Sequence, residues 1–501
     1  MFEKIERQAL WVLGVCAFCV TAVHLLTIGD YPPAWFDEIE ILEMGRFSIF
    51  DVHPEWSVNL FESAAGEIVG SAPYFHYLSG WVMESLYRLT GTFLWSRALF
   101  LLSLPVCALS LFGWLRVRQF PAVVSLLTAL FFLMDPNATI CAHWYRPDLW
   151  CMTFVFTALV LIARSGEGRR RTLALVAAGA LLAVSVFFWI TSALLVPLAL
   201  LELWRLEDRR GRSFFVVGLG GTLAASLLMA PLYRYVPEIV QQYATRSELA
   251  SMGSAGPDLA GKVLANSFDF VKIALRSPFV WLMAVVGAVV GRRSRLHLAY
   301  FLFLIAFMIA TRVYHLRMVY LMPCLFLLAA EAMQTVAFSV RPVMRNLGRG
   351  YVVLSLLAVF GISVVALTFA AWPEGNTLRT FTDRLRRAVP GAAPKVYLMD
   401  MEHELYYAGR CLGWQMYSAS PRAVVFNGRH ADFLAKLDAV VVTACEPKLT
   451  EADFEAIASA GFRKTTAISM PPAATGALKA KLAGAVYAHG YPSCEVWTRS
   501  R

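Results

Sequence analysis

The sequence predicts a polytopic α-helical membrane protein with about eleven spans, and its composition is the first reason. Of its 501 residues, 58% are hydrophobic and only 16% are charged, and the mean hydropathy is +0.57. A soluble protein of this size needs more charge to cover its surface. The second reason is that many apolar runs approach the length that crosses a bilayer. The third is that basic and non-basic gaps alternate between those runs.

The apolar runs place the predicted spans along the chain. The run that follows Glu6 and Arg7 has no small-residue cleavage site after it, so we expect a retained first helix rather than a cleaved signal. Several other runs are shorter than about 20 residues, the usual length of a membrane helix. The spans are predicted at about 8–29, 96–115, 119–134, 149–164, 172–188, 191–204, 213–231, 278–291, 296–311, 317–338 and 351–371.

Basic residues set the predicted orientation. Eighteen Lys and Arg residues lie in one alternate set of short gaps, which the positive-inside rule places in the cytoplasm. They are Lys4, Arg7, Arg116, Arg118, Arg164, Arg169, Arg170, Arg171, Arg205, Arg209, Arg210, Arg212, Arg292, Arg293, Arg295, Arg341, Arg345 and Arg349. The segments at about 30–95, 135–148, 232–277, 312–316 and after 372 are then extracytoplasmic. The net charge of +10 therefore reports topology and does not indicate nucleic-acid binding, and the pattern suits a bacterial inner membrane.

Two of the outer segments have predicted structure of their own. The first outer loop is acidic, and its apolar stretch Tyr74–Thr90 would invert the later topology if it crossed the membrane. We therefore expect interfacial helices in this loop, at Tyr74–Thr90 and near Ile39–Phe47. The tail alternates strand and helix patterns, which predicts a small extracytoplasmic α/β domain at 372–501 after a transmembrane domain at 1–371. Its predicted strands and helices are Lys395–Met399, Ala423–Phe426, Ala439–Thr443, Ala431–Leu437 and Glu451–Ala460.

The first candidate site is the acidic pair Asp37-Glu38, which follows the first span within a predicted outer loop. Two interpretations stay open for this pair. It can favour the N-terminus of a helix through the helix macrodipole. Alternatively, Asp37 can act as a general base that takes the proton of an acceptor hydroxyl within hydrogen-bond reach.

The second candidate site is the run from His143 to Asp148, at the outer start of the fourth predicted span. Aromatic residues are typical of a membrane boundary and explain Trp144 and Tyr145. They do not explain why His143, Arg146 and Asp148 lie in the same run. Asp148 at a helix start also suits a cap, with Arg146 neutralising it.

The third candidate site is the tight outer turn that contains Arg312, His315 and Arg317. The positive-inside rule predicts few arginines in an outer turn, so these two need another reason. An anionic ligand such as a lipid phosphate supplies one, because Arg binds phosphate with a bidentate fork. Contact with lipid headgroups is the alternative. Arg97, at the outer end of the second span, is a further candidate for this cluster.

The order of these motifs resembles a known family. In chain order they are Asp37-Glu38, Ala72-Pro73-Tyr74-Phe75-His76-Tyr77-Leu78, Ser96-Arg97-Ala98, Tyr145-Arg146-Pro147-Asp148 and Tyr320-Leu321-Met322-Pro323. This series, over about residues 1–340, resembles the GT-C membrane glycosyltransferases that use polyprenyl-phosphate sugars. Within them it is most similar to the aminoarabinose-transferase and protein O-mannosyltransferase types. The stretch from Glu404 to Arg410 is a weaker match to the same family.

The resemblance implies a GT-C-like fold and an inverting glycosyltransferase on the extracytoplasmic face, with the active site and the C-terminal domain on the periplasmic side. The donor would be a polyprenyl-phosphate monosaccharide, and the acceptor hydroxyl would belong to a lipid, a glycan or a protein. The expected catalytic residues are Asp37, Glu38 and Asp148, with Asp37 as general base. The expected donor-phosphate ligands are Arg97, Arg146, Arg312 and Arg317. The expected substrate-binding residues are His53, His76, Tyr77, His143, Tyr145, His315 and Tyr320.

The chain also departs from the family pattern. The aminoarabinose type has Glu-Lys before the proline, and its lysine helps to hold the donor phosphate, whereas this chain has Ser71-Ala72. The phosphate is therefore assigned to arginines. We expect no cofactor. The first loop lacks an Asp-x-Asp pair, which disfavours a divalent metal ion, although Glu40 leaves that alternative open.

Two other function classes compete with the enzyme. A lipid or solute transporter or flippase would place charges along an intramembrane pathway, whereas the charges here gather at the outer boundary. A membrane-anchored sensor or assembly protein would bind partners with its outer α/β tail, but would not need the large acidic first loop. The sequence names neither the sugar nor the acceptor.

Overall fold

The computed structural model describes most of the chain. The described residues are 2–28, 41, 61–62, 68–69, 77–143, 146–164, 168–205, 210–237, 239–240, 259–291, 295–311, 317–337, 339, 341–370, 377–398, 403–418, 431–443, 451–470 and 493–499. The helices are α1 (Phe2–Thr27), α2 (Leu78–Thr90), α3 (Leu94–Val117), α4 (Ala122–Leu133), α5 (Pro136–His143), α6 (Asp148–Arg164), α7 (Gly168–Phe188), α8 (Val196–Arg205), α9 (Arg210–Met229), α10 (Leu259–Ala274), α11 (Pro278–Val290), α12 (Arg295–Thr311), α13 (Met322–Ala337), α14 (Pro342–Ala370), α15 (Leu378–Ala388), α16 (His403–Cys411), α17 (Ala431–Ala435) and α18 (Glu451–Ser459).

Three 3-10 segments and seven strands complete the described elements. The 3-10 segments are Ile190–Leu195, Ala230–Tyr235 and Arg317–Leu321. The strands are β1 (Phe61–Glu62), β2 (Ile68–Val69), β3 (Lys395–Leu398), β4 (Gln415–Ser418), β5 (Ala439–Thr443), β6 (Phe462–Ile468) and β7 (Cys494–Arg499).

Apolar helices dominate the first 370 residues. Within the described residues, six helices are long and apolar enough to cross a membrane: α1, α3, α7, α9, α14 and the continuous segment Arg317–Ala337. α10 and α11 meet that test together, but they are bent by 107° at their junction, as in a broken span or a re-entrant loop. α4, α6 and α12 are shorter apolar helices. This helical architecture is the one that the hydropathy pattern predicts.

Each predicted span coincides with one or more of these helices, but several regions differ from the prediction. α5 lies in the loop predicted at 135–148, and α14 begins at Pro342 and so includes Arg345 and Arg349, which the sequence places in a gap. The span predicted at 191–204 starts as the 3-10 segment Ile190–Leu195 and continues as α8, which has only 10 residues. The outer loop predicted at 232–277 contains the 16-residue helix α10. The exact number of spans stays a prediction.

The chain divides into two compact units, and each is described by itself. The first unit comprises Met1–Leu25, Ala98–Ala230 and Arg246–Val365. The second comprises Leu26–Arg97, Pro231–Thr245 and Ala366–Arg501. The second unit therefore combines parts of the first outer loop with the C-terminal region, whereas the sequence predicts one boundary at 371.

Glycines let helices of the first unit pack backbone against backbone. A Cβ atom at Gly179 of α7 would lie 2.0 Å from the carbonyl oxygen of Val217 on α9. A Cβ at Gly287 of α11 would lie 1.9 Å from the carbonyl oxygen of Leu328 on α13. Small residues of this kind are typical of membrane helix interfaces, because they allow close approach.

A buried charged cluster joins three segments of the first unit. Arg118 follows α3, Glu202 lies on α8 and His297 lies on α12, and all three are buried. The Arg118 guanidinium donates to the Glu202 carboxylate, and Arg118 Nη1 lies 3.1 Å from His297 Nε2. Arg205 Nη1 donates to Glu202 Oε2 at 2.7 Å. The pairing offsets the cost of removing these charges from water.

The second unit contains a five-stranded sheet with the order β4-β3-β5-β7-β6. β3 pairs in parallel with β4 and β5, while β7 is antiparallel to both β5 and β6. Alternate side chains enter two cores, one around Val396 and Val441 with α15 and α16, the other around Tyr397 and Val440 with α17 and α18. The strand predictions at 395–399 and 439–443 are confirmed, whereas Ala423–Phe426 lies outside the described residues.

The glycine contact between α11 and α13 generates a test of the packing. Gly287→Val would push a branched side chain into the Leu328 backbone, so we expect the helices to separate. The free energy of unfolding should fall by about 1–3 kcal/mol or more. Thermal unfolding in detergent measures the change. Gly361→Val is the matched control, because a Cβ there meets no atom within 4 Å. Equal stability of both variants would contradict the packing argument.

Candidate active site

The site begins with an arginine and an aspartate at the start of α6. Cys151 N donates to Pro147 O at 2.9 Å, which begins the helical hydrogen bonding at this proline and places Asp148 in its first turn. Arg146 precedes the proline, and its backbone N–H donates to Cys141 O of α5 at 3.2 Å. Its side chain turns back to Asp148. Arg146 Nε donates to Asp148 Oδ2 at 2.7 Å, and Nη2 lies 3.4 Å from Oδ1.

A tyrosine that is distant in sequence completes the cluster. Tyr320 lies in the 3-10 segment Arg317–Leu321, and its hydroxyl donates to Asp148 Oδ1 at 2.5 Å. The guanidinium carbon of Arg146 lies 4.8 Å from the ring centroid of Trp189, at the end of α7, in a cation–π arrangement. We call Arg146, Asp148, Tyr320 and Trp189 the Asp148 cluster.

Burial determines what the Asp148 cluster can do. Arg146 and Tyr320 are each 1% exposed, and Asp148 is 0% exposed. The Asp148 carboxylate accepts from three donor atoms, and it occupies two of the five N–H groups of Arg146. Such a carboxylate fixes the direction of the guanidinium and the phenol. The arrangement therefore suits Asp148 as a positioning group for Arg146.

The predicted site residues fall into three groups. Arg146, Asp148 and Tyr320 come together as described, and Arg317 begins the 3-10 segment that carries Tyr320. His143 is the last residue of α5. Seven of the predicted residues lie outside the described part of the chain: Asp37, Glu38, His53, His76, Tyr145, Arg312 and His315. Their roles stay predictions.

The remaining two predicted residues belong to the second unit. Arg97 is 1% exposed, and its Nη1 donates to the carbonyl oxygen of Ile28 at 3.0 Å. Tyr77 is buried directly before α2, and its burial raises the pKa of its hydroxyl. Their roles toward a phosphate and a substrate also stay predictions.

The second unit has a buried cluster that the sequence pattern does not indicate. Arg410 Nη2 of α16 donates to Glu84 Oε2 of α2 at 3.0 Å, and Arg88 Nε donates to Glu84 Oε1 at 3.1 Å. The Tyr87 hydroxyl donates to the carbonyl oxygen of Arg410 at 2.9 Å, and burial raises the pKa of this hydroxyl. Glu84 and Arg410 are 326 residues apart. A sequence pattern relates a residue only to its near neighbours in the chain. No local pattern therefore predicts that Glu84 pairs with Arg410.

A solved structure shares the fold of this chain. The chain superposes on the crystal structure of ArnT from Cupriavidus metallidurans in the apo state with a TM-score of 0.60, covering 97% of each chain at 13% identity. The chain therefore shares the fold of ArnT. Together with the apolar helices, this likeness indicates an integral membrane protein. It also confirms the resemblance that the order of sequence motifs predicts.

Two structures of the Archaeoglobus fulgidus oligosaccharyltransferase align more loosely. The complex with zinc and sulfate has a TM-score of 0.48 at 11% identity, over 85% of this chain and 68% of the other. AglB with an inhibitory peptide and a dolichol-phosphate also has a TM-score of 0.48, at 12% identity, over 88% and 70%. No family model and no curated protein sequence matches the chain.

Two substitutions test the geometry of the Asp148 cluster. Asp148→Asn removes the charged acceptor that the buried Arg146 and Tyr320 share, so we expect a loss of about 3–5 kcal/mol in the free energy of unfolding. Tyr320→Phe removes one hydrogen bond to a charged group and should cost about 1.5–3 kcal/mol. Thermal unfolding in detergent measures both. Glu6→Gln is the control, because it removes a partner of Arg116 from a pair that is more exposed. A loss with Glu6→Gln as large as that with Asp148→Asn would contradict the burial argument.

The Glu84–Arg410 pair generates a prediction for the second unit. Glu84→Gln removes a carboxylate charge that pairs with the buried Arg410 guanidinium, so the free energy of unfolding should fall by about 3–5 kcal/mol. The exposed pair Lys464–Glu495 provides the comparison. Glu495→Gln should change stability by at most about 1 kcal/mol, because exposed ion pairs contribute little. Thermal unfolding of the full-length protein measures both variants, and a reversed ranking would refute the assignment.

Proposed function

We propose that the protein is a membrane glycosyltransferase that moves a monosaccharide from a polyprenyl-phosphate carrier to an acceptor hydroxyl, with inversion at the anomeric carbon. The reaction is assigned to the extracytoplasmic face of a bacterial inner membrane. The observation that carries the proposal is the hydrogen bond between Tyr320 and Asp148. It joins two motifs, 172 residues apart, that the sequence analysis assigns to one site, on a fold shared with ArnT.

Asp37 is the proposed general base. It accepts the proton of the acceptor hydroxyl while that oxygen attacks the anomeric carbon from the face opposite the phosphate. The bond from the anomeric carbon to the phosphate oxygen breaks, and its electron pair leaves with the polyprenyl phosphate. The departing phosphate needs no general acid, because it leaves readily as an anion.

Arginines are the proposed stabilisers of the departing phosphate. Charge develops on the phosphate oxygens as the glycosidic bond breaks, and fixed cations near those oxygens lower the barrier. Arg312 and Arg317 are assigned this role through their charge, and Arg146, whose charge Asp148 balances, through its directed N–H groups. Asp148 and Tyr320 act through Arg146 rather than on the phosphate, because the Asp148 carboxylate directs the Arg146 guanidinium. Such a preset direction avoids reorganisation when the charge develops.

A transporter or lipid flippase remains the rival function. The observation nearest to such a function is the buried cluster of Arg118, Glu202 and His297. Ionisable groups within a helical membrane bundle often mark a transport pathway, but this cluster adjoins the predicted cytoplasmic gaps. This cluster is separate from the Asp148 cluster. The two functions differ in chemistry, since only the enzyme breaks the bond between sugar and phosphate.

Substitution of Asp37 tests the proposed reaction. The purified protein is incubated with radiolabelled polyprenyl-phosphate sugars and envelope extract, and label transferred to lipid, glycan or protein is counted. Asp37→Asn should reduce turnover by about 10²–10⁴-fold and leave donor binding intact, because only the proton acceptor is lost. Asp30→Asn, in the same predicted loop, is the matched control and should keep normal turnover.

The outcomes separate the enzyme from its rival. Near-normal transfer by Asp37→Asn would remove this residue from the role of base. Movement of labelled carrier across proteoliposomes without any bond cleavage would support the transporter instead. Loss of transfer in both aspartate variants would point to a structural effect of the loop rather than to chemistry at Asp37.

A further inference from the structure

An apolar groove lies on the first unit between α7, α8 and α9. Its volume is about 280 Å³, and every side chain that lines it is apolar. The lining includes Leu182 and Val186 of α7, Leu200 and Leu203 of α8, and Phe214 and Gly218 of α9. Leu200 is 44% exposed, so the groove opens at the protein surface. Its volume exceeds the ~150 Å³ of an apolar cavity that stays dry and takes up benzene.

One end of this α7–α9 groove is strongly basic. α7 and α9 run in parallel, because Arg171 contacts Ser213 at their starts and Val176 faces Gly220 further along. Ser213 directly precedes Phe214, which lines the groove. The basic helix starts are therefore within about one turn of the apolar lining. Arg169, Arg170 and Arg212 are exposed there.

The charge at this end is not balanced by nearby acids. The segments 164–171 and 205–212 together contain eight arginines and three acidic residues, and one of these arginines, Arg205, is paired with Glu202. Basic residues remain in excess. A ligand that fits must therefore combine an apolar chain, which fills the groove, with an anionic group at the start of the helices. Basic pockets between membrane helices are known to bind anionic lipid headgroups.

The basic end is too far from the Asp148 cluster to bind the phosphate of a sugar donor that lies at that cluster. α6 runs from Asp148 to Arg164 over 17 residues, a rise of ~25 Å. Arg164 lies four residues before Gly168, the start of α7, so the basic end and the Asp148 cluster are at opposite ends of α6. A donor whose phosphate reaches the Asp148 cluster cannot place the same phosphate at Arg169 and Arg170.

We propose that the α7–α9 groove binds an anionic phospholipid, with one acyl chain between the three helices and the headgroup phosphate at Arg169, Arg170, Arg171 and Arg212. The site is independent of the proposed transfer reaction. By the positive-inside rule it belongs to the cytoplasmic leaflet.

Two variants test the two halves of this site. Arg169→Gln/Arg170→Gln removes two charges, and at about fivefold per basic residue the affinity for phosphatidylglycerol should fall about 25-fold. Gly218→Leu fills the groove, because a Cβ at Gly218 meets no atom within 4 Å. It should weaken binding of phosphatidylglycerol and of phosphatidylethanolamine alike. Native mass spectrometry of the full-length protein, titrated with each lipid, measures the affinities.

Matched controls separate the site from general effects of charge and volume. Arg341→Gln/Arg345→Gln removes two arginines from another gap on the same predicted face. Gly361→Leu adds the same side chain at an equally open position on α14. Both controls should bind phosphatidylglycerol like the unchanged protein.

The proposal fails if the two site variants bind phosphatidylglycerol as tightly as their controls do. It also fails if polyprenyl phosphate displaces phosphatidylglycerol and shows the same dependence on both site variants, because the groove would then belong to the isoprenoid carrier. Self-association that is lost in Gly218→Leu, without a change in lipid affinity, would instead assign the groove to a second copy of the chain and overturn the lipid site.

Discussion

A carboxylate that leaves water needs donors for its oxygens, and Asp148 obtains three of them from two side chains. Without these donors a buried charge would cost several kcal/mol. The start of α6, the residue before its proline and the 3-10 segment Arg317–Leu321 must therefore be arranged together. Because Arg146 and Tyr320 are far apart in sequence, this one carboxylate determines how two distant segments of the bundle meet.

The same constraint recurs in both units of the protein. Glu202 is shared between Arg118 and Arg205, and Glu84 is shared between Arg88 and Arg410. Well-packed apolar residues would stabilise these places at least as well, so net stability does not explain the charges. Their hydrogen bonds are directional, so each carboxylate favours one arrangement of the segments that carry its donors. Apolar packing specifies such an arrangement less well.

Hydropathy predicts the helices of the first unit well, because a bilayer selects on length and apolar composition alone. Hydropathy does not predict the features that depend on tertiary packing or on strand pairing. α10 lies in a segment that the sequence predicts as an outer loop. Ser277 and Pro278 mark in the sequence where α11 starts, but they do not give the 107° angle between α10 and α11. β4, β6 and β7 are not predicted, and the pairing of β6 with β7 shifts register between Lys464 and Thr466 of β6, which no sequence pattern indicates. Asp148 and Tyr320 are identified separately from their motifs, whereas their direct contact depends on tertiary packing.

The Asp148 cluster also limits how charge can be supplied to a departing phosphate. Arg146 carries one positive charge, but Asp148 holds it at 2.7 Å and neutralises it. At a distance beyond this pair, the field of the two groups largely cancels. Arg146 can therefore offer directed N–H donors, but little net attraction for an anion. If a phosphate leaves near this cluster, the uncompensated charge has to come from elsewhere, and Arg312 and Arg317, in a turn that is predicted to be extracytoplasmic, are the candidates that the sequence offers. This division of labour between direction and charge explains why an outer turn would keep arginines against the positive-inside rule.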